Sequence, residues 1–311
     1  MTSTFTADDV VFSLACMPEL QPDRIGICLA GCSSGLYRSH NSGLTWQNLY
    51  DRLSMRVQLP VTAVAFSPRF GEDHTMFAAV AGNVFRSEDS GEHWDGMYIA
   101  TPLPSITCLA LSPNYRRDNT VFVGTLDDGV FMSTDSGRVW QPVNFGLLDL
   151  HVLCLAVSPD YDRHPQLLAG TDSGLFRSNN GGRAWRDVPL PGGSEPVLSL
   201  AYSPDFIQDR RVFAGTENKG IFVSESAGRT WARLGGELSG SVDGVYPLPG
   251  GQLAALADTR LFAGDLAGNW QPWAAGDDVE NISAAAVLPS NPPAAMVGCI
   301  GGEFKWIWRE S

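Results

Sequence analysis

Acidic side chains recur in the predicted turns of this 311-residue chain, and their type and spacing could support chemistry. The candidate ligand-binding positions are seven acids and one arginine: Asp127, Asp128, Asp172, Glu217, Asp258, Arg260, Asp277 and Asp278. Carboxylates gathered at one opening could capture a cation, a basic peptide or a sugar, and two of them could perform acid–base hydrolysis. Exposed turns are polar because they face water, so each acid alone also fits an ordinary solvated turn.

A repeated phrase determines which elements would position these acids. Its tryptophans lie 48, 46, 45, 46 and 39 residues apart, at Trp46, Trp94, Trp140, Trp185, Trp231 and Trp270. A nearly fixed period of this size indicates one supersecondary unit copied along the chain.

Each copy predicts a meander of short antiparallel strands. In the second copy, the predicted strands, of four to seven residues each, are Val61–Phe66, Thr75–Val80, Asn83–Ser87 and His93–Tyr98. Alternating apolar residues and turn residues support this interpretation, and no helical period appears. Seven first strands can be counted, which predicts an all-β, seven-bladed β-propeller with four-stranded antiparallel blades.

We expect one domain, residues 1–311. Its predicted blades are residues 10–53, 61–100, 106–145, 152–190, 197–235, 242–274 and 282–309. The last copy lacks a fourth strand, so we predict that residues 2–7 complete it and close the ring, which leaves no open sheet edge. Small residues in the second strands, such as Gly31 and Gly124, predict close approach of neighbouring blades.

The repeated phrase places serine, aspartate, glycine and tryptophan at fixed positions. Its best copies contain Ser87, Asp89, Gly91, Trp94, Ser133, Asp135, Gly137 and Trp140, whereas Asn41, Asn180 and Ser226 replace the aspartate elsewhere. We expect the Asx side chain to accept backbone N–H bonds within a tight turn. The glycine should adopt a positive φ, and the tryptophan should bury its ring and find a partner for its N–H.

This pattern, Ser-x-Asp-x-Gly-x-Thr-Trp, resembles the Asp-box or BNR repeat of sialidases, sortilin-type receptors, tandem-propeller xyloglucanases and photosystem II assembly factors. The resemblance implies a turn between the third and fourth strands, opposite the usual ligand face. The eight residues of the best copies are therefore expected to be scaffold, and none is expected to be catalytic. Assembly factors and receptors of this type bind proteins, which favours a non-enzymatic scaffold that docks a protein or peptide on one propeller face.

The alternative is a carbohydrate-active enzyme or a glycan-binding propeller that uses the acidic mouth. A glycosidase should hold two carboxylates about 5 Å or roughly 6.5–9.5 Å apart, with one acid desolvated. A docking protein should instead expose an apolar patch with a polar rim. The candidates for that patch are Leu147, Leu148 and Leu150, or Trp306 and Trp308.

Composition restricts the classes of partner that the protein could bind. The net charge is −13, with 21 Lys and Arg against 34 Asp and Glu, which disfavours nucleic acid and favours a basic partner. The sequence shows no membrane span and no secretory signal, so we expect a cytoplasmic protein. No cofactor motif or metal-ligand spacing appears, and neither is expected. The six cysteines form no CxxC pair and are expected to be reduced thiols.

Overall fold

Seven antiparallel sheets contain most of the regular structure of the chain. The computed structural model describes residues 8–17, 26–236, 238, 240–273, 279–290 and 292–308. The strands of the first three sheets are β1 (Val11–Met17), β2 (Ile27–Cys32), β3 (Gly35–Ser39), β4 (Gln47–Asn48), β5 (Val61–Phe66), β6 (Met76–Val80), β7 (Asn83–Ser87), β8 (Asp95–Tyr98), β9 (Ile106–Leu111), β10 (Val121–Thr125), β11 (Val130–Ser133) and β12 (Gln141–Pro142).

The strands of the other four sheets follow the same order along the chain. They are β13 (Val152–Val157), β14 (Leu167–Thr171), β15 (Gly174–Ser178), β16 (Arg186–Val188), β17 (Val197–Tyr202), β18 (Val212–Thr216), β19 (Ile221–Ser224), β20 (Ala232–Arg233), β21 (Val242–Leu248), β22 (Gln252–Ala257), β23 (Arg260–Asp265), β24 (Gln271–Pro272), β25 (Ile282–Leu288), β26 (Ala294–Cys299) and β27 (Phe304–Trp308).

Every sheet is a simple meander in which consecutive strands pair. This confirms the predicted all-β, seven-bladed propeller class with four-stranded antiparallel blades. The seven predicted first strands are β1, β5, β9, β13, β17, β21 and β25. The last sheet has three strands among the described residues. Residues 2–7, predicted to add its fourth strand, lie outside them.

The chain divides into two compact units. The first unit is Met1–Ile106 with Ala274–Ser311, and the second is Thr107–Trp273. Within the first unit, the sheets at the two ends of the chain are in contact, because the Gly301 N–H donates to the Asp9 carbonyl at 2.7 Å. The Val11 side chain also packs against Gly298, where an added Cβ would lie 2.8 Å from it. The beginning and the end of the described chain therefore meet.

Glycines in the second strands allow adjacent sheets to approach, as predicted. A Cβ on Gly31 would lie 2.5 Å from the carbonyl oxygen of Val61, the first residue of the next sheet. In the second unit, a Cβ on Gly170 would lie 2.5 Å from the carbonyl oxygen of Val197. Any side chain at these positions would collide with backbone, so glycine is required by space and not by φ.

The core lies between adjacent sheets. In the second unit, Phe122, Val130, Phe176 and Trp185 belong to one buried cluster that joins the third and fourth sheets. The innermost strands have six or seven residues, whereas the outermost strands have only two to four. The prediction of four to seven residues is therefore wrong for most outer strands, because the preceding turn extends through the tryptophan and leaves few residues to pair.

Short helices occupy the connections between first and second strands, where the sequence predicted only loops. They are α1 (Phe70–Asp73), α2 (Tyr115–Asp118) and α3 (Phe206–Asp209). Single 3₁₀ turns span Tyr50–Leu53, between β4 and β5, and Pro249–Gly251, between β21 and β22. In each α-helix connection, the serine of the Ser-Pro dipeptide donates to the last aspartate of the helix. The Ser67 Oγ to Asp73 Oδ2 distance is 2.6 Å, and the Ser112 Oγ to Asp118 Oδ2 distance is also 2.6 Å.

The repeated phrase forms one turn with a fixed hydrogen-bond pattern. Five serines accept the N–H of the glycine four residues later at 2.8–2.9 Å, in the pairs Ser39–Gly43, Ser87–Gly91, Ser133–Gly137, Ser178–Gly182 and Ser224–Gly228. The Asp135 Oδ1 atom accepts the N–H groups of Arg138 and Val139 at 3.0 and 2.9 Å. Gly137 has a φ of 83°, and the Trp140 indole donates to its carbonyl at 3.0 Å. The predicted roles of aspartate, glycine and tryptophan are thus confirmed in this turn.

Residues that replace the aspartate keep its function. Asn180 accepts the N–H of Ala184 at 2.8 Å, and the Ser226 hydroxyl accepts that of Thr230 at 2.9 Å. In the degenerate sixth copy, Asp265 accepts the N–H of Asn269 at 3.1 Å. The side-chain oxygen matters more than the residue type, since three different residues make the same bond.

A second hydrogen bond joins this turn to the connection between the first and second strands of the same sheet. The Ser90 N–H donates to the His74 carbonyl at 3.0 Å, and Ser136 donates to Asn119 at 3.0 Å. His74 and Asn119 both follow a short helix and have φ values of 51° and 52°. One end of each of these sheets is thus closed by two mutually bonded turns.

Two of the six cysteines depart from the expectation of reduced thiols. Cys16 and Cys28 face each other in the register of β1 and β2 and form a disulfide. Cys32, Cys108, Cys154 and Cys299 are free. Burial raises the pKa of the Cys108 thiol to about 11, so it stays protonated and behaves as a small apolar side chain.

The turn pattern predicts the effect of substitutions at Asp135. We expect Asp135→Ala to lower the free energy of unfolding by about 1–2 kcal/mol, because two turn N–H groups lose their acceptor as at a deleted helix cap. Asp135→Asn should cost less than half of this, since asparagine makes the same bond at Asn180. Urea unfolding of the three proteins measures the difference. Equal losses for alanine and asparagine would show that the accepted N–H bonds contribute little.

Candidate functional site

The turns between second and third strands lie beside the loops that lead into the first strands. In the second unit, the Asp172 N–H donates to the His151 carbonyl at 3.3 Å, and the Glu217 N–H donates to that of Pro196 at 3.1 Å. The Asp258 N–H donates to the Ser241 carbonyl at 3.2 Å. These bonds place the predicted acidic turns of each sheet next to the loop that precedes its first strand.

Asp127 joins a small acidic cluster centred on His151. The His151 Nε2 atom lies 3.5 Å from Asp127 Oδ1, and its Nδ1 atom lies 3.1 Å from Asp149 Oδ1. Asp149 also accepts the N–H groups of His151 and Ser173 at 3.0 and 2.8 Å. The cluster thus links the third and fourth sheets, and Asp149 is its most enclosed acid.

The surroundings of Asp149 favour its charged form. Burial alone would raise the pKa of this carboxyl, but hydrogen bonds from His151, Ser173 and Thr171 outweigh it and lower the pKa to about 2. Asp149 therefore serves mainly to hold two loops together, whereas Asp127 and Asp128 remain largely exposed beside it.

The candidate Glu217 lies beside an ion pair that the sequence did not predict. Glu195 is only 6% exposed, and its Oε2 atom lies 3.3 Å from the Lys219 ammonium. Lys219 also donates to the carbonyls of Gly192, Gly193 and Ser194 at 3.1–3.3 Å. Glu217 itself accepts a hydrogen bond from the Asn218 side chain at 3.2 Å. Lys219 and Glu195 are thus occupied in fixing their own loop.

Asp258 lies near a second carboxylate, Asp243 in the innermost strand β21. The Ser241 hydroxyl donates to Asp243 Oδ2 at 3.1 Å. Partial burial raises the pKa of Asp243, and the negative charge of Asp258 raises it further. Asp258 and Thr259 form the turn itself, with φ values of 46° and 61°. Asp243 was missing from the predicted site, although an aspartate within an otherwise apolar strand was a usable signal.

The remaining predicted residues are Arg260, Asp277 and Asp278. Arg260 starts β23 on an exposed position, and its backbone pairs with Ala257. Asp277 and Asp278 lie outside the described residues. Within the described ranges, no group of three or more His, Cys, Asp or Glu side chains could hold a metal ion. No helix in this part of the chain is long and apolar enough to cross a membrane.

Apolar side chains protrude from the same end of the third sheet. We call Leu126, Phe145, Leu148 and Leu150 the blade-3 patch, and their exposed fractions are 40%, 80%, 83% and 37%. The Gly129 N–H donates to the Leu150 carbonyl at 3.0 Å, which joins the turn after Leu126 to the loop that contains the other three. Asp127, Asp128 and His151 border the patch as charged or polar neighbours.

The structure exposes some of the predicted docking residues and buries others. Leu148 and Leu150 are exposed as predicted, but Leu147 is only 6% exposed and packs into the core cluster with Trp185. Phe145 and Leu126 were missed. In the last sheet, the Trp306 indole donates to the Ser42 carbonyl of the first sheet, and its ring packs against the buried cluster there. Trp306 therefore joins two sheets and is partly buried, and the side chain of Trp308 lies outside the part of the chain that the structure describes.

Comparison with known proteins identifies the fold alone. No family model and no curated protein sequence matches the chain. The structure of YCF48 bound to D1 peptide matches 100% of this chain and 96% of its own chain, with a TM-score of 0.67 and 15% identity. The GH74 xyloglucanase from Xanthomonas campestris matches 98% of this chain and 52% of its own, with a TM-score of 0.71 and 15% identity.

A third similar structure is the extracellular domain of BT4673 from B. thetaiotaomicron. It matches 97% of this chain but only 39% of its own length, with a TM-score of 0.70 and 16% identity. This chain thus spans less than half of BT4673 and about half of the xyloglucanase, but almost all of YCF48. At these identities, the comparisons show the β-propeller fold and nothing finer.

The low pKa of Asp149 predicts a pH dependence of stability. Because the folded-state pKa of about 2 lies below the unfolded value of 3.8, the charged carboxylate stabilises the protein above pH 4, and this contribution is lost as the pH falls toward 2. We expect Asp149→Asn to lower the unfolding free energy by about 2 kcal/mol at pH 7, and the gap to wild type to shrink below pH 4. Denaturant unfolding between pH 7 and 2.5 measures this gap. A gap independent of pH would contradict the assigned hydrogen bonds.

Proposed function

We propose that this chain is an Asp-box propeller without catalytic activity that binds a protein or peptide through the blade-3 patch. The observation that carries the proposal is the exposure of Phe145 and Leu148, at 80% and 83%, beside two further exposed leucines. Large apolar side chains clustered on the surface of a folded protein are costly in water and commonly mark an interaction site. The five complete serine–glycine turns support the Asp-box assignment.

Charge indicates the kind of partner. The patch is bordered by Asp127, Asp128 and Asp149, and the whole chain has a net charge of −13. Apolar anchors inside an acidic border match a peptide that alternates apolar and basic residues, because complementary charge speeds association and excludes acidic competitors. The solved complex of the similar propeller YCF48 with the D1 peptide supports peptide recognition as a use of a single propeller of this size.

Substitutions in the patch test this proposal. We select ligands for the purified protein from a displayed library of random peptides and measure their affinity for wild type and for Phe145→Ser/Leu148→Ser. Selected sequences should be rich in Arg or Lys and apolar residues, and the double variant should bind them at least tenfold more weakly because two central anchors are lost.

Val139→Ser provides the matched control. Val139 is 60% exposed in the recurring turn of the same sheet, so the substitution removes similar apolar surface away from the patch. Its affinity should stay within twofold of wild type. Failure to select any peptide, or equal weakening by Val139→Ser, would contradict docking at the patch.

Carbohydrate chemistry at Asp243 and Asp258 is the second candidate function. The raised pKa of Asp243 beside the Asp258 carboxylate is the one feature expected of an acid–base pair. The likeness to a GH74 xyloglucanase gives the possibility some weight, although this chain spans about half of that enzyme.

A hydrolysis panel separates the two candidates. If our preferred function is correct, xyloglucan and a set of aryl glycosides will show the same background release of sugar or phenol with wild type and with Asp243→Asn/Asp258→Asn. The control Asp127→Asn should show the same background release as wild type and the double variant. Turnover by wild type that disappears in the double variant, but not in the control, would assign hydrolysis to this pair and overturn the non-enzymatic proposal.

A further inference from the structure

A cavity of about 600 Å³ in the second unit is lined by four arginines and by no carboxylate. Its walls come from the fourth and fifth sheets and include the recurring turns of both, at Asn179 and Ser226. The arginines are Arg163, Arg177, Arg210 and Arg229, and His164 lies among them. In a chain with 21 basic and 34 acidic residues, four arginines around one cavity are a marked local reversal of charge.

The Asp160 carboxylate offsets part of this positive charge. Asp160 is 5% exposed, and its Oδ2 atom lies 2.7 Å from His164 Nδ1 and 3.6 Å from the Arg210 guanidinium. Arg163, Arg177 and Arg229 form no ion pair with any carboxylate in the described ranges. Three guanidinium groups that form no ion pair therefore line the cavity, and Asp160 acts on one of them, Arg163, only at longer range.

The surrounding residues hold two of the arginines in place. The Arg177 Nη2 atom donates to Gln166 Oε1 at 3.1 Å, and the Gln166 amide donates to the Ala227 carbonyl at 2.8 Å. Gln166 is 5% exposed, so its orientation is fixed by its neighbours. The enclosed Nε atom of Arg177 has no hydrogen-bond partner among the described residues. The Arg210 guanidinium lies over the Phe206 ring, 5.4 Å from its centre.

The electrostatic environment of Arg177 favours binding of an anion. Burial lowers the pKa of this guanidinium, and the positive charge of Arg229 lowers it further. The Arg177 guanidinium nevertheless stays charged at neutral pH. An anion between them would offset this repulsion and accept hydrogen bonds from their N–H groups.

We infer that this cavity binds a small molecule carrying a phosphate group, as a phosphate ester or a pyrophosphate. Guanidinium groups bind phosphate oxygens through paired, charge-assisted hydrogen bonds. A phosphate ester carries close to two negative charges at pH 7, which suits three arginines without an ion pair better than the single charge of a carboxylate or a sulfate ester. A cavity of about 600 Å³ is large enough for a ligand of metabolite size. This inference is independent of peptide docking at the blade-3 patch.

Calorimetric titration tests the site on the whole chain. We titrate pyrophosphate into wild type and Arg163→Gln/Arg229→Gln at constant ionic strength, and we verify folding by circular dichroism. Wild type should bind one pyrophosphate, and the double variant should bind at least tenfold more weakly because two charged donors are lost. Both substituted arginines are exposed, so their replacement leaves the buried core unchanged.

Arg138→Gln is the matched control. Arg138 occupies the same place in the recurring turn as Arg229, but it does not line the cavity. Its affinity for pyrophosphate should stay within twofold of wild type. No measurable binding by wild type, or equal losses in the control and the double variant, would overturn the site.

Two ligands of matched shape test the phosphate class. Methyl phosphate and methyl sulfate differ by about one negative charge at pH 7, so methyl phosphate should bind wild type at least fivefold more tightly. Equal binding of the two esters would overturn the phosphate assignment, since any small oxyanion would then suffice.

Discussion

The hydrogen bond from a glycine N–H to a serine hydroxyl four residues earlier is the interaction on which the rest of the structure depends. It recurs at 2.8–2.9 Å in five sheets and fixes the chain reversal that leads into each outer strand. The outer strands have as few as two residues, too few to define their own register. Their position is therefore set mainly by the turn, by the tryptophan that follows it and by the bond between this turn and the neighbouring connection. Loss of the turn would release both the strand and the buried indole.

Because of this turn, the polar groups at the two ends of a sheet differ in their hydrogen bonding. At the end with the recurring turns, most polar groups bond to one another, and the acids of the repeat accept backbone N–H groups. At the other end, the turns between second and third strands vary in sequence, and some of their acids stay exposed. The blade-3 patch and the Asp243–Asp258 pair both lie there. The arginine-lined cavity is an exception, because it lies among the recurring turns and combines Arg229 of the repeated phrase with arginines outside it.

The sequence was sufficient for the fold because its informative residues are local. The period of the tryptophans and the seven first strands required only spacing and alternation, and each turn is held by residues within a few positions of one another. The parts that sequence missed depend on contacts between distant residues. Leu147 and Leu148 are adjacent, yet one faces Trp185 and the other faces solvent. Cys16 and Cys28 meet across a hairpin, and the cavity arginines span residues 163–229. Neither period nor composition specifies which of these distant residues meet.

Residue-resolved amide hydrogen exchange tests most directly whether the recurring turns hold the structure together. The amide hydrogens of Gly91, Gly137, Gly182 and Gly228 are buried and bonded to serine hydroxyls. Our account predicts that they exchange only through global unfolding, with protection close to that of the central strands and a urea dependence equal to that of the whole protein. Exchange of these four hydrogens as fast as that of the exposed loop containing Leu148, without urea dependence, would contradict it.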